Sequence, residues 1–317
     1  MVFLSYLIQL SHSIQYFNTQ GLCDDLYMSF RWHISQAVVV TFFFYSGYGM
    51  FHKYKNNGLD YVKRIPSQKI IKLYANMLIP VLLYISIDIF ICGNKYTFLD
   101  VFELFIGYKC IRSYSNWYLF NIVVLYILFT FSFLAINRIK KKFYKDIIAC
   151  VILFLLSITL VYIEIKIKQP SWFYNTLVFY SVGVWYGLLH TFVERVVMKS
   201  YLIWISILCV SFLIYYVSYI KRSNGIEWYT LWEMSFLIII LLVNMKVLVY
   251  SRVLEYMGKN ILYIYLLQRI PMILFQHFGI AMNNRYFFVI LSFVVTLLLV
   301  EIIRRINEII MSRVFNK

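Results

Sequence analysis

Charge is what this chain has least of. Only 14% of its 317 residues are Asp, Glu, Lys or Arg, against 62% apolar and 20% aromatic, and no water-soluble domain hides so much apolar surface. That excludes a soluble enzyme and leaves a protein of the membrane. The short alternating segments of a transmembrane barrel are absent; runs such as Ile147–Ile163 and Phe287–Val300 are long and continuous. Cysteine pairing of metal or redox type is missing, since Cys23, Cys92, Cys110, Cys150 and Cys209 form no CxxC. Cys150 and Cys209 lie in apolar runs, as small hydrophobes do. Cys92 and Cys110 fall in or near one predicted external connection, where a disulfide is an open alternative. A basic leader and a small-residue cleavage site are both absent, which argues against a secretory signal. There is no internal repeat, and Arg138–Lys145 is the sole low-complexity tract.

A bilayer core about 30 Å thick takes roughly 20 residues per helical span. Windows of that size predict ten spans, near residues 1–16, 34–52, 70–92, 117–136, 147–165, 173–191, 200–219, 231–249, 258–276 and 286–303. The connections are then too short for a sizeable soluble domain, so the expected fold is one all-α bundle over residues 1–317. Its first helix looks cut short at its start.

The 30 basic residues outnumber the 14 acidic ones, a formal +16. They lie between apolar runs rather than on one face, so they report topology and not nucleic-acid binding. Alternate connections hold twenty and nine of them, with Arg269 inside a span. Positive charge stays in the cytoplasm, which places both termini there.

Polar side chains at bilayer depth cost roughly 2.5–3.5 kcal/mol each and need a partner or a purpose. His12, Ser46, Asp88, Asn121, Glu164, Glu233, Gln268, Arg269 and Glu301 fall inside predicted spans or at their edges. Asp88, Glu164 and Glu301 lie near predicted ends, where capping or snorkelling explains them; Glu233 reads the same way. At 1.5 Å per residue, Ser46, Gln268 and Arg269 sit near the midplane, and His12 in the outer half of the first span. Three helices thus bring polar groups to similar depth, as a buried reaction chamber requires. The alternative for Arg269 is a tie to Glu233 or a carbonyl, and for His12 an interfacial histidine without a chemical role.

Val40–Met50 reads VTFFFYSGYGM, and after a basic loop come YVKRIPSQKIIKLY and Pro80. This resembles the second and third spans of the acyltransferase 3 family, integral membrane O-acyltransferases that modify surface glycans. LSHS at Leu10–Ser13, NWYLF at Asn116–Phe120 and GKNILYIYLLQ at Gly258–Gln268 are similar to further family segments, in the family's order. Two positions depart from it. The arginine expected eleven residues before the first-span histidine falls on Met1, and Gln268 replaces a late histidine.

The resemblance implies transfer of an acyl group, by expectation acetyl, from cytoplasmic acetyl-coenzyme A to a hydroxyl of a surface polysaccharide or its lipid-linked precursor. It implies a multi-pass protein of a bacterial plasma membrane, acting in the cell envelope alongside glycan-assembly proteins, with no nucleic acid and no metal. Acyl transfer needs a base for the hydroxyl proton and donors for the oxyanion. His12 is the candidate base; Arg269, Gln268 and Ser46 are candidate donors. Arg64, Lys69 and Lys72 suit the phosphates of the cofactor, or else mark ordinary positive-inside residues. Trp117 and Tyr118 suit a sugar face, or else the interface belt. A transporter or flippase for a lipid-linked glycan is the competing reading; its repeated halves and broken midplane helices are not evident, and the four prolines fall at unmatched positions.

Overall fold

The computed structural model describes residues 12–13, 22–91, 93–108, 117–137, 142–247, 251–280 and 284–315. The described residues are helical and contain no strand, and eight stretches are long and apolar enough to cross a membrane. The polytopic all-α fold expected from composition is therefore the observed one. The predicted first span lies outside the described residues except for His12 and Ser13, which are helical. Cys92 and Cys110 lie outside them too.

The helices are α1 (Leu22–Ile65), α2 (Lys72–Phe90), α3 (Phe98–Ile106), α4 (Trp117–Ala135), α5 (Lys142–Lys166), α6 (Ser171–Tyr174) and α7 (Val178–Val197). They continue with α8 (Tyr201–Lys221), α9 (Ile226–Lys246), α10 (Arg252–Lys259), α11 (Ile261–Leu267), α12 (Arg269–Phe278) and α13 (Arg285–Phe315). One apolar stretch, Gln36–Phe90, runs 55 residues. Straight, it would measure roughly 80 Å, more than twice a bilayer core. It is interrupted at Gly58, whose φ of 63° and ψ of −153° are non-helical, and by a π-helical turn at Pro66–Ile71. Its length is enough for the two spans expected near residues 34–52 and 70–92.

Packing divides the chain into two compact units. The first comprises Met1–Trp32, Pro66–Val123 and Ser251–Lys317. Its core joins α2, α11 and α13 through Met77, Val81, Tyr84, Ile264, Leu267 and Val300. Nearer the basic end of α2, Asn307 Nδ2 donates to the Tyr263 hydroxyl at 3.0 Å, and that hydroxyl donates to Asn76 Oδ1 at 3.0 Å. Asp88 is buried at the other end of α2, where Asn94 Nδ2 donates to it at 2.8 Å and the Tyr96 hydroxyl also donates; it ties the following loop to the helix by side-chain bonds, which is neither the capping nor the snorkelling its position suggested. Helix α3 lies within the connection between the expected spans 70–92 and 117–136. It is nucleated by a capping box, with Thr97 and Asp100 bonded side chain to backbone in both directions. Phe98, Leu99 and Phe102 are exposed on it, the face of an interfacial helix. Tyr256 on α10 donates to Glu301 at 2.9 Å, and its phenol is raised above its ordinary range, first by burial and then by that bond.

The second unit comprises His33–Ile65 and Val124–Tyr250. Its closest packing is a crossing of α1 and α7. A Cβ at Gly47 would stand 2.0 Å from the Tyr180 carbonyl oxygen, and one at Gly183 would stand 2.0 Å from that of Phe44. Small residues let membrane helices touch backbone to backbone. The Ser-Gly-Tyr-Gly of α1 therefore has a packing reason, and its partners Gly183 and Gly187 were not singled out by sequence. A different pair, α1 and α5, is tied by Asp146, which is fully buried on α5 and accepts from the Tyr54 hydroxyl at 2.8 Å and Lys55 Nζ at 2.9 Å. Asp146→Ala removes both bonds and strands Lys55, which is 39% exposed and so partly rescued by solvent. We expect a loss of about 1–3 kcal/mol, read as a lower unfolding midpoint in detergent; an unchanged midpoint would make the pair dispensable.

Candidate functional site

The site is built where a helix breaks. Residues 258–276 were expected to form one span, and Ile261–Phe278 is one; within it the helical hydrogen bonding lapses only at Gln268, between Leu267 and Arg269, where φ −57° and ψ −26° stay helical. Pro271 supplies the reason: it has no N–H, and its ring clashes with the carbonyl four residues back, that of Leu267. A second interruption at Asn260 separates α10 from α11. Breaks at membrane depth are tolerated where neighbouring polar groups satisfy the backbone. Here the break carries Gln268 and Arg269, both buried.

Arg269 Nη2 donates to His12, lying 2.5 Å from Nδ1 and 3.3 Å from Nε2. These residues are 257 positions apart in sequence, and their meeting is the main finding of the site. A neutral imidazole has one lone-pair nitrogen and one N–H. The lone pair that accepts from the guanidinium cannot take a proton until that bond is released. Gln268 Nε2 donates to the Tyr265 carbonyl at 3.3 Å, while its Oε1 is buried without a hydrogen-bond partner among the described residues. The ring of Tyr265 meets that of Tyr118 edge-on at 5.7 Å, and Tyr118 meets Trp117 at 6.5 Å. Trp117 is buried and Tyr118 half-buried. Tyr265 was not anticipated as a link between Tyr118 and Gln268; its signal was the Tyr-x-Tyr spacing of Tyr263 and Tyr265 on one short helix.

The other expected site residues stand elsewhere. Ser46 belongs to the second unit, half-buried, with its hydroxyl 3.1 Å from that of Tyr126. Arg64 is exposed in the last turn of α1. Lys69 is half-buried in the π-helical turn, and Lys72 is exposed at the first position of α2. π-helical turns occur often at functional sites. Among the described residues no group of three or more His, Cys, Asp or Glu side chains could hold a metal ion.

The sequence model of a family described as "Acyltransferase domain" matches residues 2–305, nearly the whole chain and both compact units. No curated protein and no solved structure matches it.

Proposed function

The chain belongs to the acyltransferase 3 family, and on that premise we propose that it transfers an acetyl group from cytoplasmic acetyl-coenzyme A to a hydroxyl of a surface polysaccharide or its lipid-linked precursor. Membrane acyltransferase is the established part. The observation that supports the rest is the His12–Arg269 contact, a titratable ring and a fixed cation brought together.

In the proposed reaction the acceptor hydroxyl gives its proton to His12 as its oxygen attacks the thioester carbonyl. The tetrahedral oxyanion then collapses, breaks the carbon–sulfur bond and expels the thiolate, which takes that proton from His12. Ester and thiol are formed, and no proton is gained or lost overall. Arg269 couples the two halves. At rest its guanidinium occupies the imidazole lone pair; a bound thioester carbonyl competes for the same N–H, and drawing Arg269 toward the carbonyl frees the base. Oxyanion stabilisation by a preorganised donor is typically worth about 3 kcal/mol or more. Gln268 remains as a further donor, and Tyr118, with Trp117 behind it, as the acceptor's stacking face.

The donor enters from the side where the basic connections lie, both termini being cytoplasmic in this reading, and the glycan from the outer side of a bacterial plasma membrane. Arg64, Lys69 and Lys72 take the cofactor phosphates. Neutralising all three is expected to raise KM for acetyl-coenzyme A about tenfold or more, in a salt-sensitive way, with little change for the acceptor. Equal effects on both substrates would return these residues to anionic lipid.

The deciding experiment is release of free coenzyme A from acetyl-coenzyme A by purified protein in the presence of glycan. The break at Gln268 is also a feature that a carrier would use. A carrier would move glycan and release no coenzyme A.

A further inference from the structure

Glu233 lies on α9, seven residues past Ile226 and so about 10 Å along the helix from that end. Its side chain is 0% exposed, and neither carboxyl oxygen has a hydrogen-bond partner among the described residues. A carboxyl in that position is expensive, and such residues mark function by default. Tyr229, one turn back on α9, lies close enough to Glu233 to feel its charge, and the neighbouring Trp232 gathers further rings of the α8–α9 hairpin. Trp232 packs against Tyr229 at 5.3 Å, Tyr219 at 6.2 Å and Tyr215 at 6.4 Å. The Arg222 guanidinium covers the Tyr219 ring at 3.7 Å. Two more buried acceptors of this unit have no donor among the described residues, Glu164 Oε2 on α5 and Asn175 Oδ1 before α7.

We propose that Glu233 is the hydroxyl-binding group of a sugar subsite built into the α8–α9 hairpin. As a carboxylate Glu233 only accepts, whereas protonated it also donates one O–H, so the ligand that engages its ionised form must bring at least two donors. A pyranose brings adjacent hydroxyls together with a C–H face that lies flat on aromatic rings. An ammonium ligand fits poorly, because Arg222 already places a positive charge over the ring wall. A metal would need further oxygen ligands, and no such grouping occurs among the described residues. In the proposed orientation this end faces outward, so the subsite would hold the glycan acceptor; that assignment, though not the binding itself, rests on the acyl-transfer reading.

The test uses the full chain purified in detergent, with methyl glycosides of common hexoses and N-acetylhexosamines as probes and the unfolding midpoint as readout. At least one glycoside should raise the midpoint of the parent protein. Glu233→Gln should weaken that response by about tenfold or more, the loss expected for a charge-assisted hydrogen bond, and leave the response to acetyl-coenzyme A unchanged. In parallel, dicyclohexylcarbodiimide should modify Glu233 of the parent more slowly when the glycoside is present, a readout that needs no variant. The proposal is overturned if no glycoside stabilises the parent, if Glu233→Gln binds as well, if the glycoside gives no protection, or if calcium or tetramethylammonium chloride shifts the midpoint where glycosides do not. Failure of the acyl-transfer reading looks different: glycoside binding survives while no coenzyme A is released.

Discussion

Replacing His12 by alanine is expected to lower turnover by about 10²-fold or more, at equal protein in the membrane and with donor binding near normal. Loss of a general base acts on the transition state and not on the ground-state complex. Arg269 shapes the expectation further. It is buried and bonded to the imidazole, so His12→Ala also leaves the guanidinium without this acceptor. Some loss of stability should accompany the kinetic loss, and normalising turnover to folded protein separates the two. Gln268→Ala should be milder, about tenfold or less, because its amide makes a neutral bond to the Tyr265 carbonyl. Turnover of His12→Ala within about twofold of the parent would remove the histidine from the mechanism.

Gly183→Val is expected to have the larger effect on the amount of folded protein, with no reactive group touched. A Cβ there stands 2.0 Å from a backbone oxygen, where contacts under 3.0 Å essentially never occur. The two helices must separate by about an ångström, and neither neighbour can relieve the clash by changing rotamer. Overpacking costs about 1–3 kcal/mol, and more where the clash is with backbone. The expected result is a several-fold drop in monodisperse protein on size-exclusion chromatography after detergent extraction. Gly47→Ala strains the same crossing, so the double variant should cost less than the sum of the singles. A Gly183→Val protein recovered at parental yield would mean that the crossing is looser than the geometry indicates. Gly49, with open space around its Cβ position, is the built-in control.

The spans were legible because a helix crossing a bilayer must be continuously apolar, and runs such as Ile147–Ile163 admit no other reading. Rise per residue set Arg269 near the expected midplane and His12 in the outer half of its span, and it did not pair the two. Their contact was not legible, because nothing local records the approach of residues 257 positions apart. The glycines of α7 went unnoticed for a related reason: Gly183 and Gly187 become significant only once the facing backbone of α1 is known. Other features were present in the sequence and were passed over. Pro271 implies a break near Leu267, and Thr97-x-x-Asp100 before an apolar run implies the start of α3.

The break at Gln268 also bears on how the protein is made. Of the eight stretches able to cross the membrane, Ile261–Phe278 is the least apolar, and it carries Arg269 at its centre, where insertion scales charge roughly 2.5–3.5 kcal/mol for an arginine. The segment that carries Arg269 is thus the one least able to stay in lipid by itself. Its apolar face is matched by α2, synthesised long before it, and by α13, which follows directly. Partition of this segment from the translocon should therefore depend on its neighbours, waiting for α13 to emerge so that the two enter the bilayer as a hairpin against a waiting α2.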